Sequence, residues 1–141
     1  EACLVGSEMC IRDRSGTGQL TKILNNMILF ETVVALSEAA NIAEQYGMDV
    51  ENLYENITKC SGDSFALRNH GLKSIAKNNF PSPAFSSEYA LKDLSYALEL
   101  GQKLNVKMPG ALSAENLLKT SIKNGDKDLY FPVMKNILVK D

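Results

Sequence analysis

From Gln19 to about Tyr46 the chain reads as one uninterrupted helix, and a helix that long dictates much of the remaining fold. Leu20, Ile23, Leu24, Met27, Phe30, Val34 and Ile42 recur near the 3.6-residue period of a single face. Within that span "MILFETVVAL" is apolar on almost every side, which predicts neighbours packed around the helix. Gly47 is a suitable stop, since glycine enters the left-handed region at a helix end without a side-chain clash. The covering elements are also readable as helices. Asp49 caps a second over about 50–60, with Leu53 and Ile57 facing inward. A third helical segment runs from about Phe65 to Lys77, and prolines 81 and 83 make "NNFPSPAF" an irregular connector. Ser86 or Ser87 caps the next helix, whose stripe is Leu91, Leu94, Ala97, Leu98, Gly101 and Leu104. Pro109 opens another, at a position where a missing N–H costs nothing. After the turn "KNGDKD", Asp128 can cap a last helix with Pro132 in its first turn. No alternating strand pattern and no internal repeat occurs. The expectation is an all-α multi-helix bundle of five to seven helices, built around one long N-terminal helix at about 19–46.

Composition narrows the function classes. The 141 residues suffice for one core, and 45% apolar with 23% charged residues is ordinary for a soluble globular chain. A net charge of −2 leaves no electrostatic footprint for nucleic acid, and no basic cluster suits an anionic membrane surface. No apolar run is expected to span a bilayer. Cys3, Cys10 and Cys60 form no C-x-x-C pair and His70 is the only histidine, so no metal site is expected. An odd cysteine count fits free thiols in a reducing compartment, which makes the cytoplasm the expected location. The opening "EACLVGSEMCIRDR" lacks the basic start and long apolar core of a signal peptide. Its "VGSEMCIRDR" resembles translated sequencing-adapter read-through. Residues 1–14 are therefore expected to be a non-native or disordered leader, with the helical domain occupying 15–141.

The candidate chemistry lies in "SGTGQLTKILNN". Lys22 follows Gly18 by four residues and Asn26 follows Lys22 by four, which puts all three on one helix face. Gly18 lets a ligand approach the backbone, and the free N–H groups at the helix start attract a carboxylate. Asn26 can donate to or accept from a substrate hydroxyl or the lysine amine. The spacing describes a small hydroxy-acid site with an acid–base lysine. On spacing alone it more readily describes a solvated first turn with a polar face. A second stretch, "FSSEYALKDLSYALELG", sets Phe85 seven residues before Lys92, followed by Asp93 and Leu94. Alone, it reads as an amphipathic helix whose Lys92 and Asp93 face water.

Together, in this order, the two stretches resemble the C-terminal domain of the β-hydroxyacid dehydrogenase family. "ETVVALSEAANIAEQYGMD", "SGDSFALRN", "PAFSSEYALKDLSYALELGQKLNVKMP" and "NGDKDLYFPVMKNIL" extend the likeness from about Gly16 to Leu138. The resemblance implies a helical domain like the C-terminal domain of 6-phosphogluconate dehydrogenase, partnered by a Rossmann domain that binds NAD or NADP. It implies interconversion of a small hydroxy acid and its semialdehyde or keto acid by hydride transfer, with Lys22 as acid–base. Gly18 and Asn26 would bind substrate, Phe85 and Lys92 would line the cofactor side of the same cleft, and Asp93 would either hold its helix in place or act in the site itself. It also implies a homodimer formed through the helical domain. No strand followed by G-x-G-x-x-G stands upstream of Gly16. The Rossmann domain, the main dinucleotide site, is expected to be missing, leaving the chain alone without useful dehydrogenase activity. The competing reading is a stand-alone helical dimerisation or interaction module without catalysis. 6-Phosphogluconate dehydrogenase itself ranks lower, because its helical domain is larger and no basic cluster here suits a sugar phosphate.

Overall fold

A computed structural model describes residues 16–139. The expected leader at 1–14, with Cys3 and Cys10, lies outside these residues, as does Ser15. Helix α1 (Thr17–Tyr46) begins two residues earlier than its apolar pattern suggests, after Gly16 in a left-handed conformation at φ 94°. It stops at Gly47, also left-handed, where the Gly47 and Met48 N–H groups return to the carbonyls of Glu44 and Ala43 at 3.1 and 2.8 Å. Asp49 caps α2 (Val50–Ile57) by accepting the Asn52 N–H at 3.0 Å. Helix α3 (Leu67–Ile75) is wound as a π-helix, its wider turn marked by the Ala76 N–H reaching the Gly71 carbonyl at 2.9 Å. Ser86 caps α4 (Ser87–Lys103), accepting the Tyr89 N–H at 3.1 Å. Pro109 stands in the first turn of α5 (Pro109–Ser121), which continues into a π turn at Ile122–Asp126. A 3-10 helix, α6 (Phe131–Ile137), closes the described chain. The architecture is all-α, and no strand occurs among the described residues.

The bundle is organised on α1, which packs against every other helix. Its buried face carries Phe30, Val33, Leu36, Ala40 and Ala43, together with Asn26, Ser37 and Asn41. That face is rotated from the expected stripe. Ile42 is 69% exposed and Leu20 37%, because the neighbouring helices close over the Val33–Ala40 side. By length and mean hydropathy α1 could cross a bilayer, the one such helix among the described residues, contrary to the sequence expectation. Here it is the helix on which the other five pack. Phe30 meets Phe85 and Phe131 edge to face at centroid distances of 5.8 and 5.2 Å, the centre of an aromatic core.

Asp128 does not cap the last helix. Tyr130 precedes α6, with no side-chain cap. The reason is local. The carbonyls of Lys127 and Leu129 accept the Glu88 and Ser87 N–H groups at 3.1 and 2.9 Å, so this turn caps the start of α4 instead. Tyr130 and Phe131 then donate to the carbonyls of Pro81 and Phe85, which delays the final helix until Phe131. Gly101 of α4 permits the return of the chain, since a Cβ there would collide with the Met108 side chain.

Candidate active-site cleft

The first three turns of α1 and the middle of α4 enclose a cleft of about 350 Å³ lined by Gln19, Lys22, Ile23, Asn26, Asp93 and Tyr96. Helical spacing puts the residues there. Gln19, Lys22 and Asn26 are three and four residues apart on α1, and Asp93 and Tyr96 are three apart on α4. Asn26 is the best-fixed member, with only 7% of its surface exposed. Its Nδ2 donates to Asp93 Oδ2 at 2.8 Å, and its Oδ1 accepts from Asn25 Nδ2 at 3.2 Å. A carboxylate only accepts, so Asp93 settles which end of the Asn26 amide faces α4. Lys22 is half-buried in the wall and forms no ion pair among the described residues. The cleft therefore offers one cation, one carboxylate with an uncommitted Oδ1, and several groups that both donate and accept.

The expected residues do not all converge. Lys22 and Asn26 share the cleft, while Gly18 sits half-buried in the first turn of α1, one turn before Lys22. Phe85 is turned away. Its ring packs on Phe30, Phe131 and Tyr89, and its open side faces a separate groove of about 560 Å³ with Pro83, Tyr89 and Asp128. Packing against two fully buried rings holds it in the core. Lys92 is exposed on α4 beside Asp93 and does not line the cleft. Sequence reasoning did not single out Gln19 or Tyr96. Their signal was the spacing: three residues before Lys22, and three after Asp93.

A second polar contact lies elsewhere. His70 on α3 bonds through Nδ1 to the Tyr130 hydroxyl and packs on Phe131. Burial, with help from Lys73, holds the imidazole pKa below its ordinary value, and burial pushes the Tyr130 phenol up. Tyr54 is also raised, by burial first and then by Glu44; its hydroxyl donates to the Leu36 carbonyl at 2.6 Å.

Residues 16–134 match the protein family described as NAD-binding of NADP-dependent 3-hydroxyisobutyrate dehydrogenase. The 2-(hydroxymethyl)glutarate dehydrogenase of Eubacterium barkeri is 30% identical over 82% of this chain and 38% of its own length. The 2-hydroxy-3-oxopropionate reductase of Escherichia coli (strain K12) is 29% identical over 89% of this chain and 42% of its own. Among solved structures, Mycobacterium tuberculosis 3-hydroxyisobutyrate dehydrogenase with L-serine superposes with a TM-score of 0.78 at 28% identity. That match covers 89% of this chain and 44% of the other. The chain spans less than half the length of these relatives.

Proposed function

The chain belongs to the β-hydroxyacid dehydrogenase family of NAD(P)-dependent oxidoreductases, and from that premise we propose that its cleft is the helical half of a hydroxy-acid dehydrogenase site. The observation that carries this reading is the shared wall of Lys22, Asn26 and Asp93, drawn from two helices and locked by the Asn26–Asp93 bond. In oxidation Lys22 takes the hydroxyl proton of a small hydroxy acid; in reduction it returns a proton to the carbonyl oxygen of the semialdehyde or keto acid. Asn26, its amide fixed at both ends, orients that oxygen. NAD or NADP, when bound, accepts or supplies the hydride. The exposed ammonium of Lys92 fits one edge of such a dinucleotide, being a cation one residue from the cleft wall. Phe85, directed into its own groove, is left with a core role beside any cofactor contact.

A separate dinucleotide-binding domain completes the site in this reading, and the setting is cytoplasmic. Ile28, Ile42 and Tyr46 are 60%, 69% and 88% exposed and lie near one line along α1. That uncovered apolar line supports a homodimer formed through the helical domain. It also favours the second reading, a dimerisation module without catalysis.

The test assays the chain alone and fused to a dinucleotide-binding domain from a relative, with 3-hydroxyisobutyrate or glycerate and NAD or NADP. The chain alone is expected to be silent and the fusion active, with Lys22→Ala lowering turnover at least about a hundredfold. Unchanged turnover in Lys22→Ala overturns the role of the lysine. Turnover by the chain alone overturns the need for a second domain. A dimer whose fusion is inactive supports the module.

A further inference from the structure

Tyr130 ties α3 to the start of α4. Its N–H donates to the Pro81 carbonyl at 3.2 Å, and it pairs with Ser86 in an isolated antiparallel bridge. The Ser87 and Glu88 N–H groups reach back to Leu129 and Lys127 at 2.9 and 3.1 Å, so the turn 127–130 is laced to residues 81–88. Asp128 of that turn borders the groove into which Phe85 opens. The Tyr130 hydroxyl bonds instead to His70 Nδ1 on α3. With the imidazole neutral and its proton on Nε2, Nδ1 accepts the phenol proton. Burial pushes the phenol up, which keeps it a donor, and burial followed by Lys73 disfavours charge on the ring. One proton on Nδ1 reverses the arrangement. The imidazolium donates, the phenol proton loses this acceptor, and a cation sits among the rings of Phe65, Tyr130 and Phe131, with centroids 6.3, 5.7 and 5.6 Å away. Lys73, one turn along α3, adds like charge. Among the described residues no carboxylate of α1, α2 or α6 forms an ion pair with the ring to offset it.

We propose that His70 and Tyr130 form a proton-operated latch: the neutral ring holds the turn 127–130 on the start of α4, and a proton on the ring releases that turn while the bundle stays folded. Phe131 is the pivot, because its fully buried ring packs on Phe30 and Phe85 whatever the charge on His70. Release breaks the three backbone bonds made by Ser87, Glu88 and Tyr130 and moves Asp128 away from the Phe85 groove. The Asn26–Asp93 bond lies further along α4, outside the laced segment, and persists. The latch is separate from the active-site reading and acts in this chain with or without a second domain.

His70 is the only histidine, so in the full chain labelled with 15N one imidazole reports its titration without ambiguity. Amide hydrogen-exchange protection is measured between about pH 8 and about pH 5 at Ser87, Glu88 and Tyr130, with Phe30 and Val33 of α1 as references for global opening. Protection at the three laced amides is expected to fall about tenfold along the His70 titration curve, the worth of one hydrogen bond, while the two references hold. Two variants bracket the states. The uncharged amide of His70→Gln can still hold the phenol, so protection should stay high at both ends of the pH range. Tyr130→Phe keeps the ring and loses the hydroxyl, so protection should be low at both ends. If His70 charges and the three amides keep their protection, the latch does not exist. If they lose it only together with Phe30 and Val33, acid unfolds the whole bundle and the proposal falls. A step that survives in both variants assigns the pH response to another group and overturns it as well.

Discussion

Asn26 bridges α1 and α4 with both ends of its amide occupied, and it is nearly buried while doing so. Asn26→Ala removes both bonds and leaves Asp93 without its donor, so we expect a loss of about 1–3 kcal/mol in denaturant unfolding. Asn26→Asp should be worse than its size suggests, because it sets two carboxylates against each other. His70 makes a different prediction. Its folded pKa is below the ordinary 6.5 of the unfolded chain, so the unfolded state takes up the proton first. Stability is therefore full above pH 6.5 and declines as pH falls through the lowered folded value. Because His70 is the only histidine, His70→Gln should flatten that segment of a stability–pH curve. A slope that persists in the variant rejects the assignment.

Helix starts are held by single side chains, and these were readable. Asp49, Ser86 and Pro109 stand where capping chemistry wants an oxygen or a missing N–H, and all three open helices here. Ser86→Ala should cost about 1 kcal/mol in chemical denaturation, since the Tyr89 N–H loses its acceptor. The π winding of α3 has no local signal in the sequence. Within it Gly71 packs close to Tyr54, where an added Cβ would come within 3.2 Å of the ring edge. Asp128 misled for a similar reason: a capping residue type says nothing about where its turn spends its carbonyls. In the site, four-residue spacing alone put Lys22 and Asn26 on one face. The Asn26–Asp93 bond spans 67 residues, and no local period reports a partner that distant. Phe85 was read from the family likeness as a lining residue. Its edge-to-face contacts with Phe30 and Phe131 are what turn it toward the core.

The closing segment holds the molecule together at its largest scale. Phe131, Pro132, Val133, Met134 and Lys135 are all buried, five consecutive residues in one short helix. Phe131 joins the aromatic core, and the Lys135 carbonyl accepts the Asn41 Nδ2 from α1 at 2.9 Å. The Lys135 ammonium pairs with Glu44 at 2.7 Å, with its own side chain 8% exposed and that of Glu44 42%. Removing one partner of so buried a cation costs more than exchanging the pair for apolar groups, so Lys135→Met should be milder than Glu44→Ala. The upstream helices meet α6 on α1, α3, α4 and α5, and without it four elements face water at once. Phe131→Ala is expected to cost about 3–5 kcal/mol, most of the margin of a small domain. A chain ending at Tyr130 should therefore keep much of its far-ultraviolet helical signal but lose cooperative unfolding and near-ultraviolet dichroism, the signature of helices without fixed packing. If that truncated chain instead unfolds in one sharp transition close to the parent's midpoint, α6 is a peripheral strap and the core is closed by α1, α4 and α5 alone.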